Sequence, residues 1–557
     1  MSTANARGVF SAIPALFGKD KDSDCDVLFR LELLCPERKA TEEEEAEEEQ
    51  PRKRPRLQCE TVPLSTEPHA GALVGEPLPG HLFVLRLASE RLRAQIERWD
   101  GGAGDRAAQG AGASSSSVAP RPQLHVPLGS EAEVPFARAA IGFASTGVVA
   151  ADGVRAALEV RRQAAYLQID GCTAACDELL LGMLAACSSS SRAGSVAAAA
   201  DRAGSSSAAV EFMACWAQLP DPAEEPTFSP VLAAAKQALV RHFGDAQAAF
   251  NTPSSRQQLL QLPAAGVEAL LGSEAFGTDS EDSVLLLLAT WMKANHGQTD
   301  AATRRQLCRL VQLVQLGRPY LTVVVPVLAA DHETGAAGSP CAWFPISIAE
   351  AGFITTLATA AAGVEKDRLL LRTAARPQCL PEEGRTFEWV ISQQELREAL
   401  DELEPEEPYN VDASFAGDYL CARGLEWKLF LEVEHEATSA GIFITCILPA
   451  AYYVTGSSVG SSKAIAVVGL EARLAVHGWR GGARQTAFKN GFEASDFAFD
   501  LGRLLNSTGR GWSSALPLAP PQQAGADGGG GGDVLTGWAP YLRDGRLTGT
   551  LTLLPVP

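Results

Sequence analysis

The sequence has too few basic residues for a general nucleic-acid surface and no apolar run long enough for a membrane span. Its 557 residues include 47 Lys and Arg against 67 Asp and Glu, which gives a formal net charge of -20. Binding to a phosphate backbone needs a net basic face, and spanning a bilayer takes roughly 18 consecutive apolar residues. The composition therefore predicts neither a nucleic acid nor a membrane as a direct partner.

Closely spaced metal ligands are also scarce. Among twelve cysteines only Cys172 and Cys176 lie close together, and the eight histidines are dispersed. A structural zinc site takes four ligands, so the pair, one helical turn apart, is interpreted as packing residues. Reduced thiols are typical of intracellular proteins. The sequence predicts no metal and no cofactor, and the patch at residues 9–17 is a poor secretory or transit signal because acidic residues soon follow it.

One short motif matches the nucleophile elbow of esterases. Residues 456–460 read G-x-S-x-G, with Ser458 at the nucleophile position. In that fold an acid and then a histidine follow the serine, but the last histidine, His477, precedes Asp496 and Asp500. A glycine-serine turn is therefore favoured over an esterase site, and the chain is interpreted as not an enzyme.

Composition divides the chain into pieces. Residues 101–122 and 188–209 are rich in Gly, Ala and Ser, and neither can bury enough apolar surface to order itself. Residues 36–76 hold an acidic run at 42–49 and a basic run at 52–56. Such charge blocks are typical of disorder. The segments at 36–76 and 101–122 are predicted to be disordered insertions, and 188–209 a linker.

Hydrophobic patterns predict an N-terminal α/β domain around these insertions. Its predicted elements are strands at 26–31 and 124–128, a strand running into a helix at 81–96, and helices at 134–147, 154–167 and 172–184.

Residues 259–291 predict an antiparallel helical unit. Thr278 and Glu281 have capping-box spacing, and so have Thr303 and Gln306 further on. The apolar residues after the two pairs keep the spacing of one helix face: Val284, Leu287, Leu288 and Trp291, then Leu307, Leu310, Val311 and Val314. The pattern predicts that no polar group points into this unit, which favours an adaptor over a catalyst.

From about residue 385 the hydrophobic period changes to two. Apolar residues alternate with other residues over 427–434, and leucines alternate with threonines over 547–553. Such alternation indicates antiparallel strands with one buried face. The C-terminal region is therefore predicted to be a β-sandwich.

The order of these pieces resembles BTB/POZ–BACK proteins. SDCDVLF at 23–29 and HLFVLRLAS at 81–89 resemble the first strand and the His-containing segment of a BTB/POZ domain. FARAAIGFASTG at 136–147 resembles its F-x-x-x-L-x-F-x-Y-T-G helix, with Ser145 in place of the aromatic residue. Residues 259–291 resemble the BACK domain that follows.

Further stretches resemble the plant light-response BTB–BACK proteins, a family of cullin-3 RING ubiquitin-ligase adaptors. They are LPAAGVEALL at 262–271, SEDSVLLLLATW at 280–291 and RPYLT at 318–322. The last segment, from 537, is similar to the closing strands of MATH/TRAF-like domains. The resemblance implies a multidomain α+β protein with an N-terminal segment 1–22, a BTB/POZ domain 23–187, a linker 188–209, an all-α BACK domain 210–330, a connector 331–384 and an antiparallel β-sandwich 385–557.

The resemblance also implies partners: a cullin-3 scaffold, a second copy of the chain through BTB dimerisation, and a protein substrate. Cullin-binding BTB domains often carry a hydrophobic-x-Glu motif just after the helix that here is predicted to end near Ile96, and the candidates are Leu92, Ile96 and Glu97. The spacing of the motif is not clean, so Leu92 and Ile96 have a second interpretation as packing residues. A cullin groove predicts an exposed apolar residue beside Glu97.

The basic run supplies a candidate nuclear-import signal, consisting of Arg52, Lys53, Arg54 and Arg56. Its alternative interpretation is a solvated counter-charge to the neighbouring glutamates. The predicted location is the nucleus, the cytoplasm or both. The alternative function is a BTB-dimerised nuclear scaffold or transcriptional co-regulator that binds no cullin.

Overall fold

The computed structural model describes residues 23–31, 72–107, 121–189, 207–336, 338–359, 375–404, 408–454, 456–457, 465–500, 509–518 and 533–555, with backbone alone at 100–107, 187–189, 465–467 and 493–500. The chain divides into two compact units. The first comprises Met1–Met183 and Leu219–Val231, and the second comprises Leu184–Gln218 and Leu232–Pro557. The mixed α+β class predicted from the sequence is confirmed.

A three-stranded sheet forms the centre of the first unit. Its strands are β1 (Cys25–Leu31), β2 (Leu78–Gly80) and β3 (Gln123–Leu128), in the order β2-β1-β3. β1 pairs antiparallel with β2 and parallel with β3, and Val27 lies opposite both Leu78 and Leu124. The strands predicted at 26–31 and 124–128 are confirmed.

Five helices pack around this sheet: α1 (Leu82–Ala88), α2 (Glu90–Ala107), α3 (Val134–Thr146), α4 (Val154–Leu167) and α5 (Cys172–Ser189). Apolar side chains of the strands and helices form one core, which includes Val27, Phe29 and Leu85. Cys172 and Cys176 are completely buried in that core. The structure therefore places both thiols where the packing interpretation expects them.

The strand predicted at the start of 81–96 is wrong, because β2 ends at Gly80 and α1 begins at Leu82. The Asp24 carboxylate accepts a hydrogen bond from the Leu82 backbone N–H at 2.7 Å, which satisfies a free donor at the helix start. Ser89 then interrupts the helix with an extended backbone, and its hydroxyl accepts from the Leu92 N–H at 3.1 Å. A leucine-rich apolar run is compatible with a strand or a helix. The local hydrogen bonds at Asp24 and Ser89 favour two helices here.

The buried Arg161 holds a later segment of the chain against the first unit. Its guanidinium forms ion pairs with Asp177 at 2.7 Å and Glu225 at 2.8 Å, and it stacks over the Phe228 ring. The Arg161 side chain is only 5% exposed. These contacts explain why Leu219–Val231 belongs to this unit although it follows the 188–209 segment.

The second unit contains both the predicted helical segment and the β-rich region. Its helices and those leading into it are α6 (Ala208–Ala214), α7 (Ser229–Phe243), α8 (Ala246–Asn251), α9 (Pro253–Gln261), α10 (Ala264–Leu271), α11 (Glu281–Asn295), α12 (Ala301–Cys308), a π-helical turn Tyr320–Val324, α13 (Val325–Thr334), α14 (Ile348–Thr359) and α15 (Gln393–Asp401). The predicted helices are present, but both predicted capping boxes are wrong. Ser280, not Thr278, precedes α11, and the cap of α12 is Asp300, whose carboxylate accepts from the Thr303 N–H at 2.7 Å. α12 also ends at Cys308, so the predicted apolar positions Leu310, Val311 and Val314 lie beyond it.

Polar groups do enter the helical unit, contrary to the sequence prediction. Glu281, Asp282 and Ser283 open α11 and are all buried. Glu281 pairs with Arg376 at 3.1 Å, and Asp282 accepts from the Gly317 N–H at 2.7 Å. Burial raises the pKa of Asp282 to about 8 against the opposing effect of that hydrogen bond. Helix α11 is therefore a polar junction at its start and an apolar core element along the rest of its length.

Two five-stranded antiparallel sheets follow. The strands are β4 (Arg385–Ser392), β5 (Tyr409–Ala413), β6 (Leu420–Ala422), β7 (Leu425–Val433), β8 (Ser439–Ile447), β9 (Ile465–Arg480), β10 (Ala483–Asp500), β11 (Arg510–Pro517), β12 (Leu542–Arg543) and β13 (Arg546–Leu553). One sheet has the order β10-β9-β13-β12 with β4 beside β13, and the other has the order β11-β8-β7-β5 with β6 beside β7. The rings of Phe492 in β10 and Trp512 in β11 lie 4.7 Å apart between the sheets. The antiparallel strands predicted for this region are confirmed.

The turn between β6 and β7 ties the sheets to the helices. The Arg423 N–H donates to Asp279 at 2.6 Å, and the Gly424 N–H donates to the Ser283 hydroxyl at 2.9 Å. The Tyr320 hydroxyl donates to the Gly424 carbonyl. Gly424 has a φ of +71°, and an added Cβ would lie 2.5 Å from the Tyr320 hydroxyl oxygen. Only glycine fits this contact without strain.

Candidate protein-interaction surfaces

Helix α1 presents large apolar side chains outward. Leu85 is buried in the core, whereas Phe83 is 70% exposed and Leu87 is 69% exposed. Residues four apart lie on the same helix face, so these two side chains form one apolar patch, here named the α1 face. Scattered single apolar residues on a surface are ordinary, whereas two that share one helix face form a small contiguous patch that is accessible to a partner.

The two sequence-predicted cullin contacts Leu92 and Ile96 lie inside the domain. Leu92 is completely buried and Ile96 is 3% exposed, and both belong to the core of the first unit. Neither side chain is available to a partner in this conformation, which agrees with their interpretation as packing residues. Glu97 is exposed, and its carboxylate lies 3.6 Å from the Arg86 guanidinium. Glu97 is therefore the one candidate of the three that a partner can reach.

Exposed apolar residues near Glu97 come from positions that the sequence analysis missed. Trp99 is 43% exposed two residues further along α2. The α1 face is also close, because Arg86, which pairs with Glu97, lies between Phe83 and Leu87 on α1. One signal was present in the sequence: LFVLRLA has five large apolar residues in seven, more than one buried helix face can hold.

Polar contacts fix the position of α2. The Gln95 side-chain amide exchanges two hydrogen bonds, each 2.9 Å long, with the backbone of His125 in β3. The Arg91 guanidinium donates to the Tyr166 hydroxyl at 2.6 Å and stacks over the ring of that residue in α4. Glu97 and Trp99 are consequently presented by a helix that is attached to both the sheet and a second helix.

Two further sequence candidates lie outside the described residues. The import candidates Arg52, Lys53, Arg54 and Arg56 are among them, and so is Ser458 of the esterase-like motif. The neighbouring Ser457 is described, and its hydroxyl donates to Asp331 at 2.5 Å. His477 forms a hydrogen bond of 3.0 Å with the Thr548 hydroxyl in the adjacent strand.

A cleft in the second unit forms a separate candidate surface. Its volume is about 1070 Å³, and the end of α12 with the following loop and α14 line much of it. It is named here the α12 cleft. Its apolar lining includes Leu310, Leu313, Val314, Phe353 and Ile354. Phe353 is 61% exposed, so an apolar ring stands open to a partner beside the cleft.

Charged groups surround this apolar lining. Arg305 and Arg309 are exposed, and their guanidinium groups have no hydrogen-bond or ion-pair partner among the described residues. Arg376 is occupied by Glu281. The Glu350 carboxylate accepts from the Ser347 N–H at 2.9 Å, and that hydrogen bond lowers the pKa of Glu350. Among the described residues the cleft therefore offers two unpaired guanidinium groups and one exposed carboxylate, Glu274, beside its apolar lining.

Potential metal ligands and one buried thiol can be located among the described residues. Within them no three His, Cys, Asp or Glu side chains are grouped so as to hold a metal ion. Burial raises the pKa of the Cys308 thiol in the cleft, which keeps it protonated and a poor nucleophile near neutral pH. In the same parts of the chain, no helix combines the length and apolarity that crossing a bilayer requires.

Comparison with known proteins assigns nothing to these surfaces. No protein-family model matches the chain, and no curated protein matches it. The functional conclusion therefore depends on the resemblance in the sequence and on the geometry of the α1 face, Glu97 and the α12 cleft.

Proposed function

We propose that this protein is a substrate-recruiting adaptor of a cullin-3 RING ubiquitin ligase that acts by protein–protein interaction. In this proposal the first unit is a BTB/POZ domain, and the second combines a BACK helical domain with a MATH/TRAF-like β-sandwich. The observation that carries the proposal is an exposed acid, Glu97, with exposed apolar residues close to it in a domain whose sequence resembles BTB.

Each part of this surface has a separate role in the proposal. The α1 face, Phe83 and Leu87, joins two copies of the chain, because burial of paired large apolar side chains stabilises association. Glu97 and Trp99 contact the cullin, because an aromatic anchor beside a charge combines binding energy with orientation.

The adaptor itself would carry out no bond chemistry. It would hold a substrate protein near the ubiquitin-loaded partner of the ligase, which raises the effective concentration of the target lysines. The polar junction around Gly424 supports this role, since it ties the helices of the second unit to its sheets and so limits their relative movement. The basic run at 52–56 would direct the protein to the nucleus.

A pull-down with the N-terminal domain of cullin-3 tests the proposal. The full chain should retain cullin-3, and Glu97→Arg should abolish that retention. Glu178→Arg is the matched control, because Glu178 is an exposed glutamate on another helix of the first unit. Ile96→Asp is unsuitable as a test, since Ile96 is 3% exposed and a buried charge would unfold the domain.

The dimer is tested separately by light scattering. The full chain should have the mass of two copies, and Leu87→Asp should have the mass of one. A dimeric chain that retains no cullin-3 would contradict the adaptor proposal and favour the nuclear scaffold or co-regulator.

A further inference from the structure

We propose that the α12 cleft binds a peptide segment of a recruited protein in which apolar side chains are flanked by Asp or Glu. This inference rests on the proposed adaptor function only for the identity of the recruited protein. The peptide-binding property itself follows from the shape, lining and charge of the cleft.

The dimensions and lining of the cleft favour a peptide over a small molecule. Small-molecule pockets enclose about 300–1000 Å³, and this cleft, at about 1070 Å³, lies at the upper end of that range. Its apolar side chains come from two separate elements, with Leu313 and Val314 on the loop after α12 and Phe353 and Ile354 on α14. A groove whose apolar lining comes from two elements can contact several apolar side chains of one bound segment.

The charges favour acidic flanks on that segment. Arg305 and Arg309 lie four residues apart at the end of α12, so both guanidinium groups are on one side of it. Neither has a partner among the described residues. The Glu350 carboxylate in the lining is held by Ser347, and Glu281 behind it is held by Arg376. The two arginines therefore outnumber Glu274, the exposed lining carboxylate that no described residue holds. They can each receive a carboxylate in bidentate geometry.

Selection from random peptides gives the test a defined probe. A phage-displayed library of random peptides of about 12 residues would be selected on the purified full-length chain. The same library would be selected on the double variant Arg305→Glu/Arg309→Glu and on Arg241→Glu. Arg241 is the matched control, since it is an exposed arginine in the last turn of another helix. Thermal unfolding would establish that all three proteins are folded.

The wild-type chain and Arg241→Glu should enrich peptides that have at least two large apolar residues and flanking Asp or Glu. The double variant should not enrich that class. The most enriched peptide, fluorescently labelled, should bind the double variant and Phe353→Ser at least about tenfold more weakly than wild type, and added salt should weaken the wild-type complex. Absence of any enrichment, enrichment of peptides without acids, or equal enrichment on the double variant would each overturn the proposal.

The cullin-3 pull-down separates this inference from the adaptor proposal. The double variant should still retain cullin-3, because Arg305 and Arg309 are not part of the proposed cullin contact. Peptide binding by a chain that retains no cullin-3 would leave the cleft assignment standing and refute the adaptor. Cullin-3 retention without peptide enrichment would refute the cleft assignment and leave the adaptor proposal standing.

Discussion

Replacement of Arg376 by methionine should strongly destabilise the second unit. The Arg376 guanidinium lies 3.1 Å from the Glu281 carboxylate, and the two side chains are 5% and 2% exposed. It also donates a hydrogen bond of 3.0 Å to the Leu310 carbonyl. Methionine would leave a buried carboxylate whose remaining hydrogen-bond partner, among the described residues, is the Gln312 N–H at 2.8 Å.

Breaking a buried ion pair from one side costs about 3–5 kcal/mol. The second unit has roughly 360 residues, and at about 2.1 cal/mol/K of unfolding entropy per residue each kcal/mol shifts its melting temperature by about 1.3 °C. We therefore expect the melting temperature to fall by about 5 °C. Scanning calorimetry of the full-length chain measures this change. Arg241→Met, at an exposed site, should change the free energy of unfolding by no more than about 0.5 kcal/mol.

The pH dependence identifies the unpaired carboxylate as the cause. Burial raises the pKa of Glu281, and Arg376 acts in the opposite direction, so removal of Arg376 raises the pKa further. A folded-state pKa above the unfolded value gives stability that is present at low pH and lost as the pH rises through the folded value. The free energy of unfolding that Arg376→Met loses relative to wild type should therefore become smaller as the pH falls from neutral to about 5. A deficit below about 1 kcal/mol, or one that is the same at both pH values, would refute this reasoning.

Three further changes have defined outcomes. Gly424→Ala should make the second unit sensitive to limited proteolysis, because the φ of +71° and the approach to the Tyr320 hydroxyl both exclude a Cβ; resistance equal to wild type would contradict this. Asp282→Asn should gain stability relative to wild type in denaturant titrations as the pH rises from about 5 to about 8, because burial raises the pKa of Asp282 to about 8 and the wild-type chain loses that contribution over this range; parallel pH profiles would exclude it. Leu87→Asp should halve the mass in light scattering while the variant stays folded as a monomer, since Leu87 is 69% exposed; an unchanged dimer would remove the α1 face from the interface.

Elements specified by their own residues were predictable from the sequence. The bounds of α4 agree with the prediction at 154–167, and the first strand of the C-terminal sheets begins at Arg385, where the period of two was expected to start. Both follow from local periodicity, which needs no knowledge of distant contacts. The alternating leucines and threonines of β13 likewise face inward and outward as expected.

Features that depend on distant residues were not predictable. Thr278 has the spacing of a helix cap, but its backbone N–H donates instead to the Pro377 carbonyl at 2.9 Å. The polar residues at the start of α11 are buried against Arg376 and Gly424. These partners lie 95 and 141 residues further along the chain, so local sequence does not reveal them. The same limit applies to the candidate surface, since only the packing of α2 shows that Leu92 and Ile96 are buried and Glu97 is not.

Calorimetric titration of the full-length chain with the N-terminal domain of cullin-3 tests the central claim most directly. The adaptor account predicts saturable binding with one cullin-3 for each chain, weakened at least about tenfold by Glu97→Arg and unchanged by Glu178→Arg. No binding by a folded wild-type chain, or equal binding by Glu97→Arg, would contradict it.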